Sequence, residues 1–102
     1  MPSKLSNIQI EKQISQLNGW SLVGDSSDSI TCNYKFNNFS EAFSFMTQSA
    51  LAAEKIDHHP EWSNIYNSVE VLLTTHDVKG LSKKDFILAH EMNNIASKYN
   101  IR

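Results

Sequence analysis

The sequence predicts an α+β fold in which helices pack on one face of a four-stranded antiparallel sheet. Three segments, near the two ends and in the middle of the chain, place apolar residues at helical spacing. Between them lie two pairs of strand-like segments, each joined by a short loop. Strands with short connections pair antiparallel, so we expect the order α-β-β-α-β-β-α in a single domain over residues 1–102.

The first helix and the first strand pair are expected in the first third of the chain. Apolar residues recur at spacings of four and three over residues 6–17, and Ser6 with Gln9 has the pattern of a capping box. A short strand at residues 20–23 and a polar hairpin loop at residues 24–29 follow. Beyond the loop, apolar and polar residues alternate, which is typical of a strand with one buried face. The apolar members are Ile30, Cys32, Tyr34 and Phe36.

A long helix over about residues 39–56 is expected to join the two strand pairs. Asn38 followed by Glu41 marks its start. Pro60 prevents its continuation, because the residue before a proline is pushed to extended geometry. The apolar side predicted for this helix consists of Phe39, Phe43, Met46, Ala50, Ala53 and Ile56.

The second strand pair is expected over residues 62–77, with a tight turn at Asn67 and Ser68. Alternate side chains of a strand share a face, so the buried face of its second strand can be assigned. The predicted members of that face are Val69, Val71, Leu73 and Thr75.

The last helix is expected to start at Ser82. Leu81 and Phe86 occupy the positions of a hydrophobic staple, and Asp85 is the third helical residue, where a carboxylate suits the helix N-terminus. The predicted apolar stripe of this helix is Leu88, Met92, Ile95, Ala96 and Tyr99.

Composition excludes several classes of protein. Nine basic residues against eleven acidic ones, in a chain of net charge −2, argue against direct binding of nucleic acid. One cysteine excludes an internal disulfide. No apolar stretch has the length of a membrane span, and the N-terminus lacks the pattern of a signal peptide. We therefore expect a cytoplasmic protein without membrane contact.

Histidines are concentrated in one region, and this is the candidate functional site. His58 and His59 follow Glu54 at the end of the middle helix, His76 lies at the close of a later strand, and Asp85 opens the last helix. Imidazole titrates at about pH 6.5, so it gives or takes a proton near neutrality. Convergent histidines flanked by carboxylates can therefore supply both a general acid and a general base.

A metal site is the rival chemical interpretation. His58, His59 and His76, with Asp57 or Glu54, have the donor types that ligate zinc or iron. Adjacent residues of an extended chain point apart, however, which makes joint ligation by the first two histidines awkward.

Some of these residues also have purely structural interpretations. Trp62 offers a flat face to a planar ligand but equally suits the core, and Glu54 suits an exposed helix surface. Asp85 stabilises a helix N-terminus whether or not it takes part in chemistry. His90 with Glu91 begins a zinc-protease pattern that has no second helical histidine, so we assign His90 to the surface.

Several separated elements occur at specific spacings along the chain. They are Glu54-x-x-x-His58-His59-Pro60-x-Trp62, Tyr66, Thr75-His76 and Gly80-Leu81-Ser82-x-Lys84-Asp85. Together they resemble the signature of the pterin-4a-carbinolamine dehydratase family. The resemblance covers nearly the whole chain, including the Gly19-Trp20 strand start and the opening of the middle helix.

This resemblance implies a four-stranded antiparallel sheet with helices on one face, in a homodimer or homotetramer. The implied reaction is the dehydration of 4a-hydroxytetrahydropterin to quinonoid dihydropterin in tetrahydrobiopterin regeneration, without a metal or organic cofactor. Many members carry a basic residue in the second strand, where this chain has Cys32 and Asn33. That departure bears on assembly or on the surface more than on catalysis.

The resemblance also implies roles for individual residues. His58 and His76 would be the acid–base candidates, with the choice between acid and base left open, and His59 would mainly bind and orient the pterin. The remaining pocket residues would be Glu54, Asp85, Pro60 and Trp62. A second hypothesis is a non-catalytic binding module, because animal members of the family also act as dimerisation partners of a homeodomain transcription factor. An intact set of three histidines favours the enzyme.

Overall fold

The computed structural model describes residues 3–24 and 27–99 and contains three helices and one four-stranded sheet. Its elements are α1 (Asn7–Ile14), β1 (Ser21–Val23), β2 (Ser29–Lys35), α2 (Phe39–Lys55), β3 (Glu61–Ile65), β4 (Ser68–Leu73), a short 3₁₀ turn (His76–Val78) and α3 (Lys83–Ala96). This order and the antiparallel pairing confirm the predicted fold class. Residues 25 and 26 of the predicted hairpin loop lie outside the described residues.

The sheet has the strand order β1-β2-β4-β3, so β3 and β1 form its edges. In the central pair Cys32 lies opposite Val71 and Tyr34 opposite Val69, and all four side chains are buried. The intervening residues Asn33 and Glu70 point to the other face and are exposed. One face of the sheet therefore packs against the helices, as the period-two pattern predicts.

A polar cluster ties the first strand pair to α3. The indole N–H of Trp20 donates to the Tyr34 hydroxyl over 3.1 Å, and that hydroxyl donates to Asn93 Oδ1. The Asn93 amide in turn donates to the Asn18 carbonyl oxygen over 3.1 Å. Burial raises the pKa of the Tyr34 hydroxyl and the pKa of the nearby Cys32 thiol, so both groups stay neutral near pH 7.

The predicted helix starts are present in the structure. Ser6 and Gln9 form the capping box of α1. Ser82 and Asp85 form a second one at α3, where Leu81 and Phe86 are both buried. Helix α1 ends at Ile14, earlier than the periodicity suggested, and the chain then turns towards β1.

The predicted apolar side of α2 is partly wrong. Phe39 and Phe43 are 49% and 55% exposed, and Ala50 is exposed as well. The line of residues that is fully buried is Ala42, Phe45, Ser49 and Ala53. Three of these four side chains are small, and Phe45 is the only large one, so the helix can lie close to its neighbours along this line. The predicted line was based instead on the large apolar residues beside it.

Two local predictions in the second strand pair also need correction. The turn lies at residues 66–67, one residue earlier than predicted, with Tyr66 in the left-handed region at φ +51°. Asn67 fixes it, because its amide donates to the Phe36 carbonyl oxygen. Strand β4 ends at Leu73, so His76 lies in the 3₁₀ turn beyond the strand rather than at its close.

Replacement of Ser49 by alanine is predicted to stabilise the protein. The Ser49 hydroxyl oxygen is buried in α2 and has no hydrogen-bond partner among the described residues. An unpaired buried hydroxyl costs about 1–3 kcal/mol, and alanine is also the better helix former. We expect Ser49→Ala to raise Tm by about 4–8 °C for each kcal/mol recovered. Ser44→Ala, an exposed position of the same helix, is the matched control, and a Tm lowered by Ser49→Ala would contradict the prediction.

Candidate active site

The end of α2 places His58 at the boundary between helix and sheet. The backbone N–H of Asp57 donates to Glu54 O over 3.1 Å, and that of His58 donates to Ala53 O over 3.0 Å. This pair of bonds is the Schellman arrangement that closes a helix. Asp57 takes the left-handed conformation it requires, at φ +52°. The chain therefore reverses at Asp57 and directs the His58 side chain inwards.

His58 and Asp85 form a buried pair. His58 Nε2 lies 2.6 Å from Asp85 Oδ1, with the two side chains 10% and 0% exposed. A hydrogen bond of this kind to a charged carboxylate is about twice as strong as a neutral one. The pair joins the end of α2 to the start of α3. Asp85 therefore belongs both to the candidate site and to the capping box of α3.

Asp85 is held on its other oxygen as well. The backbone N–H of Ser82 donates to Asp85 Oδ2 over 2.9 Å, and the Thr75 hydroxyl donates to the same atom over 2.7 Å. Three donors thus surround one buried carboxylate. The position of the Asp85 carboxylate is therefore set by the start of α3, through Ser82, and by the segment after β4, through Thr75.

The other two histidines pair with carboxylates at the surface. His59 Nε2 lies 2.8 Å from Glu54 Oε1, with side chains 59% and 77% exposed. His76 Nε2 lies 3.1 Å from Glu61 Oε1, with side chains 79% and 56% exposed. Exposed ion pairs contribute about 0–1 kcal/mol, so these contacts orient the rings without holding them rigidly.

Pro60 and Trp62 lie between these pairs in the chain. Pro60 is half-buried just before β3, and Trp62 lies opposite Val71 in the β3–β4 ladder. The indole is partly buried and packs against the hydrophobic core. The core interpretation of Trp62 therefore applies, and its exposed part remains available to a ligand.

The structure brings the predicted residues together as pairs and adds partners that sequence reasoning missed. Glu61 is the partner of His76, a role for which the sequence offers no signal. Thr75 was assigned only to a buried strand face, although it contacts Asp85. The sequence signal for Thr75 was its hydroxyl side chain directly before the candidate residue His76.

Two further observations concern the chain as a whole. Within residues 3–24 and 27–99, no three histidine, cysteine, aspartate or glutamate side chains are grouped so that they could hold a metal ion. None of the helices in this part of the chain has the length and apolar character needed to cross a membrane. His90 is exposed on α3, as its assignment to the surface predicts.

The fold and the site define an α+β protein with imidazole–carboxylate pairs at one end of its sheet. Residues 3–95 match the family model described as pterin 4 alpha carbinolamine dehydratase. The chain belongs to this family.

Individual relatives and a solved structure agree with this membership. A Sinorhizobium fredii protein with the provisional name pterin-4-alpha-carbinolamine dehydratase is 52% identical over 96 residues, which cover 94% of this chain and 90% of that protein. A Chelativorans protein of the same provisional name is 50% identical, covering 93% of this chain and 96% of its own. The crystal structure of a transcriptional coactivator/pterin dehydratase from Brucella melitensis is 46% identical, with a TM-score of 0.87, and covers 91% of this chain and 98% of that one.

Proposed function

We propose that the protein dehydrates a 4a-hydroxytetrahydropterin to the quinonoid dihydropterin. In this reaction the C4a–O bond breaks, the proton on N5 is removed, and the hydroxyl leaves as water after it gains a proton. One group must therefore donate a proton to oxygen while another accepts one from nitrogen. Positioned side chains that do this typically contribute about 10²–10⁴-fold in rate.

The buried pair of His58 and Asp85 is the observation that carries the proposal. A carboxylate that holds one ring nitrogen fixes the tautomer and the orientation of the imidazole, as in other acid–base sites. The low exposure of both side chains strengthens their interaction relative to a surface pair. The His58 ring is thus already oriented for proton transfer, and we assign it to one of the two proton transfers.

His76 is assigned to the other transfer, and His59 to binding and orienting the pterin. Both rings are exposed and each is steered by one carboxylate, so both can reach a ligand at this end of the sheet. We assign Glu54 to orienting His59, and Pro60 with Trp62 to contacting the bound pterin. We propose that neither a metal nor an organic cofactor takes part.

The test is the decay of chemically generated 4a-hydroxytetrahydropterin, followed with and without the protein after dialysis against a chelator. We expect the protein to accelerate the decay and the dialysis to leave the rate unchanged. No acceleration would overturn the proposed activity, and a rate that depends on an added metal would overturn the cofactor assignment.

The cellular setting follows from the same proposal. We propose that the protein acts in the cytoplasm, in regeneration of a tetrahydropterin, as a homodimer or homotetramer. Exposed apolar side chains on α2 support association, since Phe39, Phe43 and Leu51 are each about half exposed or more.

A binding module is the second candidate function. It is favoured by the name of the Brucella melitensis protein, which includes a coactivator role, and by the exposed contact of Phe39 with Phe43 at a ring separation of 5.7 Å. Such a module would retain assembly without the chemistry. A protein that associates but leaves the decay rate unchanged would support this candidate over the enzyme.

A further inference from the structure

Thr75 occupies the inner side of the buried pair. Its side chain is 4% exposed, and its hydroxyl lies 2.7 Å from Asp85 Oδ2 and 2.7 Å from the Ser82 hydroxyl. Nothing in the proposed chemistry above uses this threonine. It lies one residue before His76, at the point where β4 gives way to the 3₁₀ turn.

The directions of these hydrogen bonds follow from what each group can donate. The Ser82 hydroxyl must be the donor in its bond to Thr75, because Thr75 has a single hydroxyl proton and that proton goes to Asp85 Oδ2. Thr75 then donates its single proton to Asp85 Oδ2, and the backbone N–H of Ser82 donates to the same oxygen. An ionised carboxylate only accepts, so every donor in this chain of bonds points towards Asp85.

The same logic fixes the tautomer of His58. Asp85 Oδ1 accepts, so the neutral ring of His58 must carry its proton on Nε2 and a lone pair on Nδ1. Nδ1 makes no hydrogen bond to the described residues, and it is not among their buried polar atoms without a partner. Nδ1 therefore reaches the surface of the protein.

We propose that Thr75 is a positioning residue: its hydroxyl, supported by Ser82, holds Asp85 so that His58 presents the Nδ1 lone pair to the pterin. The catalytic part of this inference rests on the proposed function. It assigns His58 the role of proton acceptor in its resting state, which leaves His76 to donate to the departing hydroxyl. Partners that orient a metal-ligating histidine change activity by about 10–100-fold when they are removed, and we expect an effect of the same size for this metal-free pair.

The experiment compares Thr75→Val, Thr75→Ser and Thr74→Val. Valine keeps the shape of Thr75 and removes the hydroxyl, and serine restores the hydroxyl. Thr74 is the matched control, because its hydroxyl donates to Asp28 O over 2.7 Å and does not contact Asp85. Two quantities are measured: kcat and KM for the decay of the 4a-hydroxytetrahydropterin, and the ¹⁵N signals of the His58 ring at alkaline pH, which report the tautomer directly.

We expect the wild type to show the Nε2–H tautomer. Thr75→Val should mix the two tautomers and lower kcat by about 10–100-fold with KM changed less than about twofold. Thr75→Ser should restore both quantities, and Thr74→Val should change neither.

An Nδ1–H tautomer in the wild type would overturn the proposal, and this measurement needs no variant. An unchanged tautomer in folded Thr75→Val would overturn it too, as would equal losses of kcat in Thr75→Val and Thr74→Val. A wild-type protein without activity would instead overturn the proposed function, and the ¹⁵N comparison would still decide the role of Thr75.

Discussion

Replacement of His58 by glutamine is expected to lower kcat by roughly 10²–10⁴-fold while the protein remains folded. Glutamine can still donate an N–H to Asp85, so the buried carboxylate keeps a partner, but an amide acts neither as an acid nor as a base near neutral pH. His59→Gln should act differently, because we propose that its exposed pair with Glu54 orients the pterin and does not transfer a proton. We expect that variant to raise KM more than it lowers kcat.

The measurement is steady-state dehydration by the purified variants, with Tm as the check on folding. His90→Gln is the matched control, because His90 is an exposed histidine on α3 outside the candidate site. If His58→Gln kept a kcat within about threefold of the wild type, His58 would not be one of the proton-transfer groups. Equal losses in His90→Gln would point to a general effect of substitution.

The order of elements was predictable because each one carries a local signal. Two capping boxes mark helix starts, and strict alternation marks the buried face of β2. The buried line of α2 was not predictable in this way. Ser49 and Ala42 contribute little to a hydrophobic pattern, yet both are fully buried where the helix packs closely. Burial there depends on the tertiary contact, which the sequence of one helix does not contain.

Most members of the candidate site were predictable, but their pairing was not, and neither were the partners Glu61 and Thr75. His58 and His59 are neighbours in the chain, yet the left-handed conformation of Asp57 sends one ring inwards to Asp85 while the other stays at the surface. Asp85 is 27 residues from His58, so no local pattern connects them. The contact between them exists only because α2, β4 and α3 meet at one end of the sheet.

Asp85→Asn tests this pairing, because it replaces one carboxylate oxygen by an amide NH₂ group and keeps the shape of the side chain. Asparagine can still accept from Thr75 and from the Ser82 N–H through its oxygen, but its amide nitrogen now faces His58 Nε2. That ring nitrogen must then accept, so the proton moves to Nδ1 and the lone pair that we propose faces the pterin is lost. We expect kcat to fall towards the roughly 10⁴-fold loss that the same exchange causes in a serine-protease triad.

Stability should fall much less than activity, because the hydrogen bonds are rearranged rather than left unmade. We expect a cost of about 1–2 kcal/mol for the loss of the charged acceptor, measured by denaturant unfolding. Asp77→Asn, in the exposed 3₁₀ turn, is the control and should alter neither kcat nor stability beyond about 0.5 kcal/mol. An Asp85→Asn variant that keeps its kcat would show that His58 does not depend on the tautomer its carboxylate imposes. The same variant with a low kcat and an unchanged His58 tautomer would show that the charge of Asp85, rather than the ring orientation it sets, is what the reaction requires.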